Sequence, residues 1–230
     1  MSQDLKQEEI EKVEKVKVAE TTGKKNSDIA GMMKDTVILL VITLISGLLL
    51  GLVYQITKEP IAAQQEKAKQ EACQEVFAEA ASFSAIEVVE LDAQIWAEAG
   101  YAEETIEEVM AAQNDAGETL GYVITVTTKE GYSGDIRFSI GIKEDGTVNG
   151  ISILEIAETA GLGMRAEEVL KPQFTDKVVE KFEYTKSGAT SDSQVDAISG
   201  ATITTNAVVN GVNAGLYYFQ TELKGGSTNE

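Results

Sequence analysis

"GDIRFSIGIKEDGTVNGISILEIAE", residues 134–158, consists of two runs rich in β-branched residues on either side of a tight turn. In the first run Ile136, Phe138, Ile140 and Ile142 alternate with smaller or polar residues, the period of two that a half-buried strand requires. The intervening Glu-Asp-Gly at 144–146 is typical of a tight turn. The segment therefore predicts two strands of a small, largely antiparallel sheet.

The same pattern extends on both sides of this segment. "AIEVVELD" (85–92) and "TLGYVITVTT" (119–128) are further strand candidates, with turn residues at 114–117. Helices are expected near 164–171 and 175–182, and a long one from about 203 to 222 carries an apolar stripe. The predicted fold class is α+β: a mixed, largely antiparallel sheet with flanking helices, behind an N-terminal membrane helix.

The membrane helix is predicted at residues 36–56, "TVILLVITLISGLLLGLVYQI", which contain no charge. About 20 apolar residues cross a bilayer core of about 30 Å. A cleaved signal peptide is the alternative, but its apolar run is shorter and its leader is short, whereas this leader has 35 residues. The expected division is a tail (1–35), the transmembrane helix (36–56), an amphipathic connecting helix (57–82), a domain (83–223) and a flexible tail (224–230).

Lysines indicate the orientation of this helix in the lipid bilayer. The leader holds seven lysines, and a stretch of similar length after the apolar run holds three. Since positive charge stays on the cytoplasmic side, the N-terminus is expected inside and the large C-terminal part outside the plasma membrane. The leader alternates lysine and glutamate and is expected to be partly helical or disordered.

Composition excludes several classes of site. The chain has no histidine and a single cysteine, Cys73, too few ligands for histidine-ligated haem, iron–sulfur clusters or ordinary zinc sites, and none for Ser-His-Asp or Cys-His catalysis. No metal site and no catalytic residue are predicted, and Cys73 is expected to be buried or half-buried. A net charge of −19 disfavours nucleic-acid binding. The acidic surface serves solubility or, alternatively, a basic partner. Any redox chemistry then rests on an organic cofactor.

The tetrapeptide Ser-Gly-Ala-Thr occurs twice, at 187–190 and at 199–202. The second copy lies directly before the C-terminal helix, with Thr202 at or near its N-cap. Free N–H groups and the positive end of the helix dipole make such a position a ready phosphate site. From local physics alone, a plain helix cap is the preferred explanation.

"DAISGAT", from Asp196 to Thr202, resembles the flavinylation motif of the covalent-FMN domain: Asp, two variable residues, Ser or Thr, then Gly-Ala-Thr. That domain occurs in the G subunit of the membrane-bound Rnf complex and in the C subunit of the sodium-translocating NADH:quinone reductase. The resemblance implies that an FMN transferase joins FMN through its phosphate to Thr202, with Asp196, Ser199, Gly200 and Ala201 as the recognised frame. The first copy has Tyr184 in place of the Asp and is expected to be loop.

"GYSGDIRFSIGIKEDGTVNGISILEIAETAGLG" (131–163) is similar to the family's glycine-rich strand pair followed by Glu-Thr-x-Gly-Leu-Gly. The family usually has Pro at Ala160 and often a His before the Glu, where this chain has Ile156-Ala157. "LKPQF" (170–174) also resembles the family. The resemblance implies contact with the isoalloxazine ring for Glu158, Thr159, Gly161, Leu162 and Gly163. A simple glycine turn ending a strand is the alternative.

The resemblance implies an electron-transfer subunit of a membrane-bound, ion-translocating ferredoxin:NAD oxidoreductase (Rnf) complex. Covalent FMN would be its cofactor and the other membrane subunits its partners, with no independent catalytic activity. Three alternatives stay open: the C-type subunit of the quinone reductase, a non-redox membrane-anchored binding module, and a stand-alone anchored flavin reductase.

Overall fold

The computed structural model describes the backbone of residues 3–224 and the side chains of residues 31–224. The chain divides into two units, residues 1–63 and 64–230. The first unit consists of most of helix α1, Gln3–Val76, which continues through Pro60. From Val37 to Ile56 its large apolar side chains are exposed. Among residues 31–224, whose side chains are described, α1 is the one helix that is long and apolar enough to cross a membrane.

Helix α1 contains residues 3–35 of the predicted leader and most of the predicted connecting helix. The backbone is helical from Gln3, and the helix ends at Val76 rather than at 82. The end lies earlier because Phe77 and Ala80 turn inward and are buried, and Ala81 donates its N–H to the carbonyl of Gln113, which starts sheet pairing. Of the apolar positions expected to form the helix face, Ala72, Val76 and Ala80 are buried, whereas Ala68 is exposed.

The second unit is built on a five-stranded antiparallel sheet in the order β1-β2-β3-β4-β5. The strands are β1 (Ser82–Ile86), β2 (Glu104–Gln113), β3 (Thr119–Thr128), β4 (Ile136–Lys143) and β5 (Val148–Ile156). The two strands predicted from residues 134–158 are β4 and β5, paired with Ile140 opposite Ile151. The α+β prediction is therefore confirmed.

Two details of the strand predictions are wrong. The run 85–92 is a strand only as far as Ile86, after which the chain leads into α2 (Ala93–Glu98). Beyond Ile86 the Val89 N–H donates to the Tyr218 hydroxyl instead of to a neighbouring strand, and Asp92 then caps α2 by accepting the N–H of Gln94. Strand β2 was not predicted at all, although it lies between β1 and β3 in the sheet.

The C-terminal helix is confirmed as α4 (Thr202–Tyr218), continued by a π-helical turn, Phe219–Leu223. Its predicted apolar stripe is buried: Val208, Val212, Leu216 and Phe219. The helix lies directly on the sheet, since a Cβ added at Gly211 would stand 2.8 Å from the ring of Phe138, and one added at Gly215 would stand 2.9 Å from Ile140. This packing places the N-terminus of α4 beside the loop that follows the sheet's last strand.

The region between β5 and α4 is less helical than predicted. Residues 164–171 hold two short pieces, a 3₁₀ turn (Gly163–Arg165) and α3 (Ala166–Val169), followed by a second 3₁₀ turn (Lys171–Phe174). The helix predicted at 175–182 is absent from this described region. There Lys177 forms a β-bridge with Val148, and Asp176 has a φ of 54°. The short strands β6 (Glu183–Thr185) and β7 (Gln194–Asp196) then pair in parallel. Of the predicted tail, 225–230 lie outside the described residues.

Candidate functional site

The loop after β5 and the segment before α4, far apart in sequence, meet around one cavity. Its volume is about 520 Å³. It is lined by Tyr132, Glu158, Thr159, Leu162, Gly163, Gly200, Ala201, Thr202, Ile203 and Thr204. Seven of the ten predicted site residues are among them. The other three, Asp196, Ser199 and Gly161, do not line it.

The hydroxyl of Thr202 is left free by the way α4 begins. The N-cap is Ala201, so Thr202 is the first helical residue. The carbonyl of Ala201 accepts both the N–H and the hydroxyl of Thr205, at 3.0 and 2.9 Å, and the Thr205 hydroxyl also accepts the N–H of Ile198. Thr205 thus secures the start of the helix. Within residues 31–224 the Thr202 hydroxyl has no hydrogen-bond partner, and the residue is half-buried at the cavity.

Gly200 lets the chain enter α4 close to the opposite loop. Its φ is 80°, a left-handed conformation that suits glycine, and an added Cβ would stand 3.1 Å from Leu162. The first N–H groups of α4 have no partner within the helix. Together these features give the cavity a wall of backbone donors at the positive end of a helix dipole.

Glu158 joins three segments at the floor of the cavity. It is buried, its Oε2 accepts the Thr204 hydroxyl at 2.6 Å, and its Oε1 accepts the N–H of Ser133 at 3.0 Å. Gly163 lies directly on this pair, since an added Cβ would stand 2.5 Å from the Thr204 hydroxyl oxygen. The carboxylate therefore fixes the loop against both α4 and the turn before β4.

The rim of the cavity is apolar and exposed. Tyr132 is 69% exposed, Ile203 52% and Leu162 41%. Exposed large apolar side chains at the mouth of a cavity favour a flat apolar ligand or a docking partner over water. Tyr132, Ser133, Ile203 and Thr204 were not predicted as site residues. The quoted glycine-rich segment already contained the first two, and the last two directly follow the second Ser-Gly-Ala-Thr.

Asp196 is an exposed residue at the end of β7. Its Oδ1 accepts the N–H of Ala189, at 2.7 Å, from the first Ser-Gly-Ala-Thr copy. That copy is loop, as predicted, with a φ of 95° at Gly188. The Thr190 hydroxyl donates to Gln194 at 2.9 Å and is thus already engaged, unlike that of Thr202.

Cys73, the single cysteine, lies away from this cavity, on α1. It is buried, as predicted, and lies beside Met110. Burial together with the nearby Glu108 carboxylate raises its thiol pKa to about 11. Such a thiol stays protonated at neutral pH and is inert as a nucleophile.

Two families match the chain: residues 131–217 match the "FMN-binding domain" and residues 29–76 match the "RnfG N-terminal region". The matched FMN-binding segment includes the whole cavity lining. The N-terminal match ends with α1.

Several curated relatives are similar over most of their length. The chain is 33% identical over 205 residues to the G subunit of the Na(+)-translocating ferredoxin:NAD(+) oxidoreductase complex of Acetobacterium woodii, covering 87% of this chain and 98% of the relative. It is 30% identical over 194 residues to the G subunit of the ion-translocating oxidoreductase complex of Methanosarcina acetivorans, covering 84% and 96%. The crystal structure of Shewanella oneidensis NqrC matches with a TM-score of 0.44 at 19% identity, over 64% of this chain and 84% of that one. With the first two relatives matched over nearly their full length, the chain belongs to the family of G subunits of the Rnf-type ion-translocating oxidoreductase complexes.

Proposed function

We propose that this chain is an electron-transfer subunit of an ion-translocating ferredoxin:NAD oxidoreductase complex and carries FMN as a phosphoester on Thr202. The observation that carries the proposal is the unengaged Thr202 hydroxyl at the cavity, in a chain that matches the FMN-binding domain. The first Ser-Gly-Ala-Thr copy supplies the contrast, because its threonine is hydrogen-bonded and lies in a loop rather than at the start of a helix.

The residues present fit an FMN group. A cavity of about 520 Å³ lies within the range of small-molecule sites, about 300–1,000 Å³. Gly163 and Gly200 let the two segments that line it approach each other closely, because a Cβ at either position would crowd Thr204 or Leu162. The free N–H groups of α4 suit a phosphate, and Leu162 with Tyr132 suits the face of an aromatic ring.

The phosphoester on Thr202 would form by phosphoryl transfer. The Thr202 oxygen forms a P–O bond to the phosphorus of FMN and loses its proton, while a P–O bond of the donor breaks. Such a transfer needs an activated donor, for which a flavin dinucleotide phosphoanhydride serves, its nucleoside monophosphate leaving. Within residues 31–224 no hydrogen-bond partner of the Thr202 hydroxyl is present to act as a general base, so we assign this chemistry to a maturation enzyme, an FMN transferase.

When bound, FMN supplies one- or two-electron transfer. The protein's own residues would hold it: Glu158 and Thr204 fix the loop, and Leu162 and Ile203 would offer apolar contact on one side. A covalent bond makes occupancy independent of affinity, so the site can stay open at one edge to redox partners. Electron exchange then requires proximity rather than proton-transferring residues.

Helix α1 determines the proposed position of the protein in the membrane. We place its apolar segment across the plasma membrane, with the N-terminus in the cytoplasm and the sheet domain outside, as the lysine distribution favours. The other membrane subunits of the complex are its partners.

Flavin fluorescence on a denaturing gel tests the proposal. Full-length protein co-expressed with an FMN transferase is expected to give a fluorescent band, because a phosphoester survives denaturation. Thr202→Ala should abolish the fluorescence, and Thr190→Ala should retain it. A dark wild-type band, or fluorescence lost with Thr190→Ala and kept with Thr202→Ala, contradicts the assignment.

A further inference from the structure

Asp196 is held in place from two directions, although it lies outside the cavity at Thr202. Its backbone N–H donates to Gln173 Oε1 at 2.7 Å, and its carbonyl accepts Gln173 Nε2 at 3.1 Å. Its carboxylate accepts the N–H of Ala189 at 2.7 Å. Gln173 thus clamps the backbone of the residue while Ala189 orients its side chain.

Both holding groups are themselves fixed. Gln173 follows α3 in the second 3₁₀ turn, and its Nε2 also donates to the carbonyl of Val169 at 2.7 Å. In the loop 187–190, Gln194 Oε1 accepts the N–H and the hydroxyl of Thr190, at 3.0 and 2.9 Å. Gly188, with a φ of 95°, provides the turn that brings Ala189 toward Asp196.

These groups face a different surface from that of the cofactor cavity. Gln173, Ala189, Thr190 and Gln194 line a second cavity, of about 570 Å³, that contains none of the residues around Thr202. The Asp196 side chain is exposed beside it. Their contacts with Asp196 therefore do not serve the floor or walls of the Thr202 cavity.

We infer that Gln173 and the first Ser-Gly-Ala-Thr loop are positioning elements that present the Asp196 carboxylate to the enzyme that modifies Thr202. The inference rests on the proposed function. A carboxylate fixed before docking loses less conformational entropy on recognition than a mobile one. The repeated tetrapeptide thereby has a structural role: the first copy holds the acidic residue of the second copy's motif.

The test uses the full-length protein in detergent, purified without its transferase, then mixed with FMN transferase and a flavin dinucleotide donor. Initial rates of flavin incorporation are measured against protein concentration. Gln173→Ala removes both bonds to the Asp196 backbone, so KM for the protein is expected to rise roughly tenfold with kcat nearly unchanged. Gln220→Ala is the matched control, because this exposed glutamine lines neither cavity, and its KM should stay within about twofold.

Two variants of Gly188 test whether the conformation of the loop, rather than the glycine itself, sets the KM. Gly188→Val places a β-branched residue in a left-handed conformation and should raise KM by displacing Ala189. Gly188→Asn tolerates that conformation and should restore the KM. Fluorescence of Trp96, the single tryptophan, reports whether each variant is folded.

The outcomes separate the two claims. Wild-type protein that takes up no flavin overturns the proposed function itself. Wild-type protein that is modified, with Gln173→Ala and Gly188→Val equal to it, overturns the inference alone. A loss in kcat without a change in KM also overturns it, since presentation acts on recognition. If Gln173→Ala does not fold, the Gly188 pair decides by the same criterion.

Discussion

At the scale of the residue, the same tetrapeptide has two chemical environments. The Thr190 hydroxyl donates to Gln194, whereas the Thr202 hydroxyl, at the start of α4, has no hydrogen-bond partner within residues 31–224. Sequence distinguished the two copies by the aspartate six residues earlier and by the helix that follows. It could not show which hydroxyl is free, because that depends on where the helix bonds are made.

Gly163 provides a first test of the site's geometry. A Cβ there would stand 2.5 Å from Thr204 Oγ1 and 2.7 Å from Glu158, so Gly163→Ala should separate the loop from α4. We expect a loss of about 1–3 kcal/mol in the free energy of unfolding and reduced flavin incorporation. Urea unfolding followed by Trp96 fluorescence measures the first. Gly134→Ala, with open space around it, is the control, and equal losses in both variants would contradict the packing described.

Glu104, at the start of β2, is buried with one oxygen unpartnered among residues 31–224. Burial raises its pKa from about 4.5 to about 7, and the carboxylate of Glu130 adds to the rise, against a hydrogen bond from Thr128. Because the folded state holds this proton more tightly than the unfolded state, its contribution to stability is complete below pH about 4.5. That contribution is lost as pH rises toward about 7.

Glu104→Gln should therefore flatten the decline in stability between pH 5 and 8. At pH 8 the variant should be more stable than wild type by roughly 1–2 kcal/mol, after allowance for screening by solvent. Urea unfolding at a series of pH values measures it. Glu118→Gln, on an exposed turn, is the control. A variant that keeps the wild-type slope would show that another group causes the pH dependence.

At the scale of the element, the sequence predicts those structures whose pattern is local. The strand predicted from the alternation is β4 and the apolar stripe lies on α4, but β4 is buried on both faces rather than half-buried, since Ser139 and Gly141 are buried as well. Strand β2 was missed because its glutamates obscure the alternation. Glu107 pairs with Thr127 and Arg137, and Glu108 with Lys69 of α1. Hydrogen-bond and ion-pair partners on other elements stabilise these carboxylates within the sheet. Those partners are distant in sequence, so the sequence of β2 alone does not reveal them.

The segment 175–182 was predicted to be a helix but is not helical in the structure. Its composition suits a helix, but its backbone groups are bound by other elements. Lys177 exchanges N–H···O bonds with Val148, and Phe182 does so with the side chain of Asn213 on α4, at 2.7 and 2.9 Å. Tertiary contacts thus override local propensity here.

Asn213→Ala tests this contact. Asn213 is buried, and its loss leaves the N–H and carbonyl of Phe182 without partners, so we expect destabilisation of about 2–4 kcal/mol. Thermal unfolding by circular dichroism measures it. Asn210→Ala, which loses a part-buried bond to Glu130, is the control and should cost less. A smaller effect for Asn213→Ala than for the control would contradict the account.

The site was predictable to the extent that its motifs are contiguous. Seven predicted residues line the cavity, but the partnership of Glu158 with Thr204 and Ser133 joins three segments of the chain. These contacts form because α4 packs against the sheet, and the spacing of the three residues in the sequence does not predict them.

At the scale of the whole molecule, the proposed topology separates a lysine-bearing leader from an acidic domain. Residues 57–230 carry 30 of the 38 acidic residues and 12 of the 19 basic ones. With Cys73 replaced by Ser, a cysteine introduced at Val178, which is 72% exposed, should react with an impermeant thiol reagent on intact cells. A cysteine introduced at Lys24 should react only after permeabilisation. Labelling of the Lys24 site alone on intact cells would reverse the orientation.

The central claim is the covalent attachment of FMN to one hydroxyl, and intact-mass spectrometry tests it most directly. Full-length protein purified from its own cells is expected to exceed its polypeptide mass by one FMN less one water, and Thr202→Ala from the same cells should have the bare polypeptide mass. A wild-type chain at the bare mass, or a Thr202→Ala chain that still carries the added mass, would contradict it.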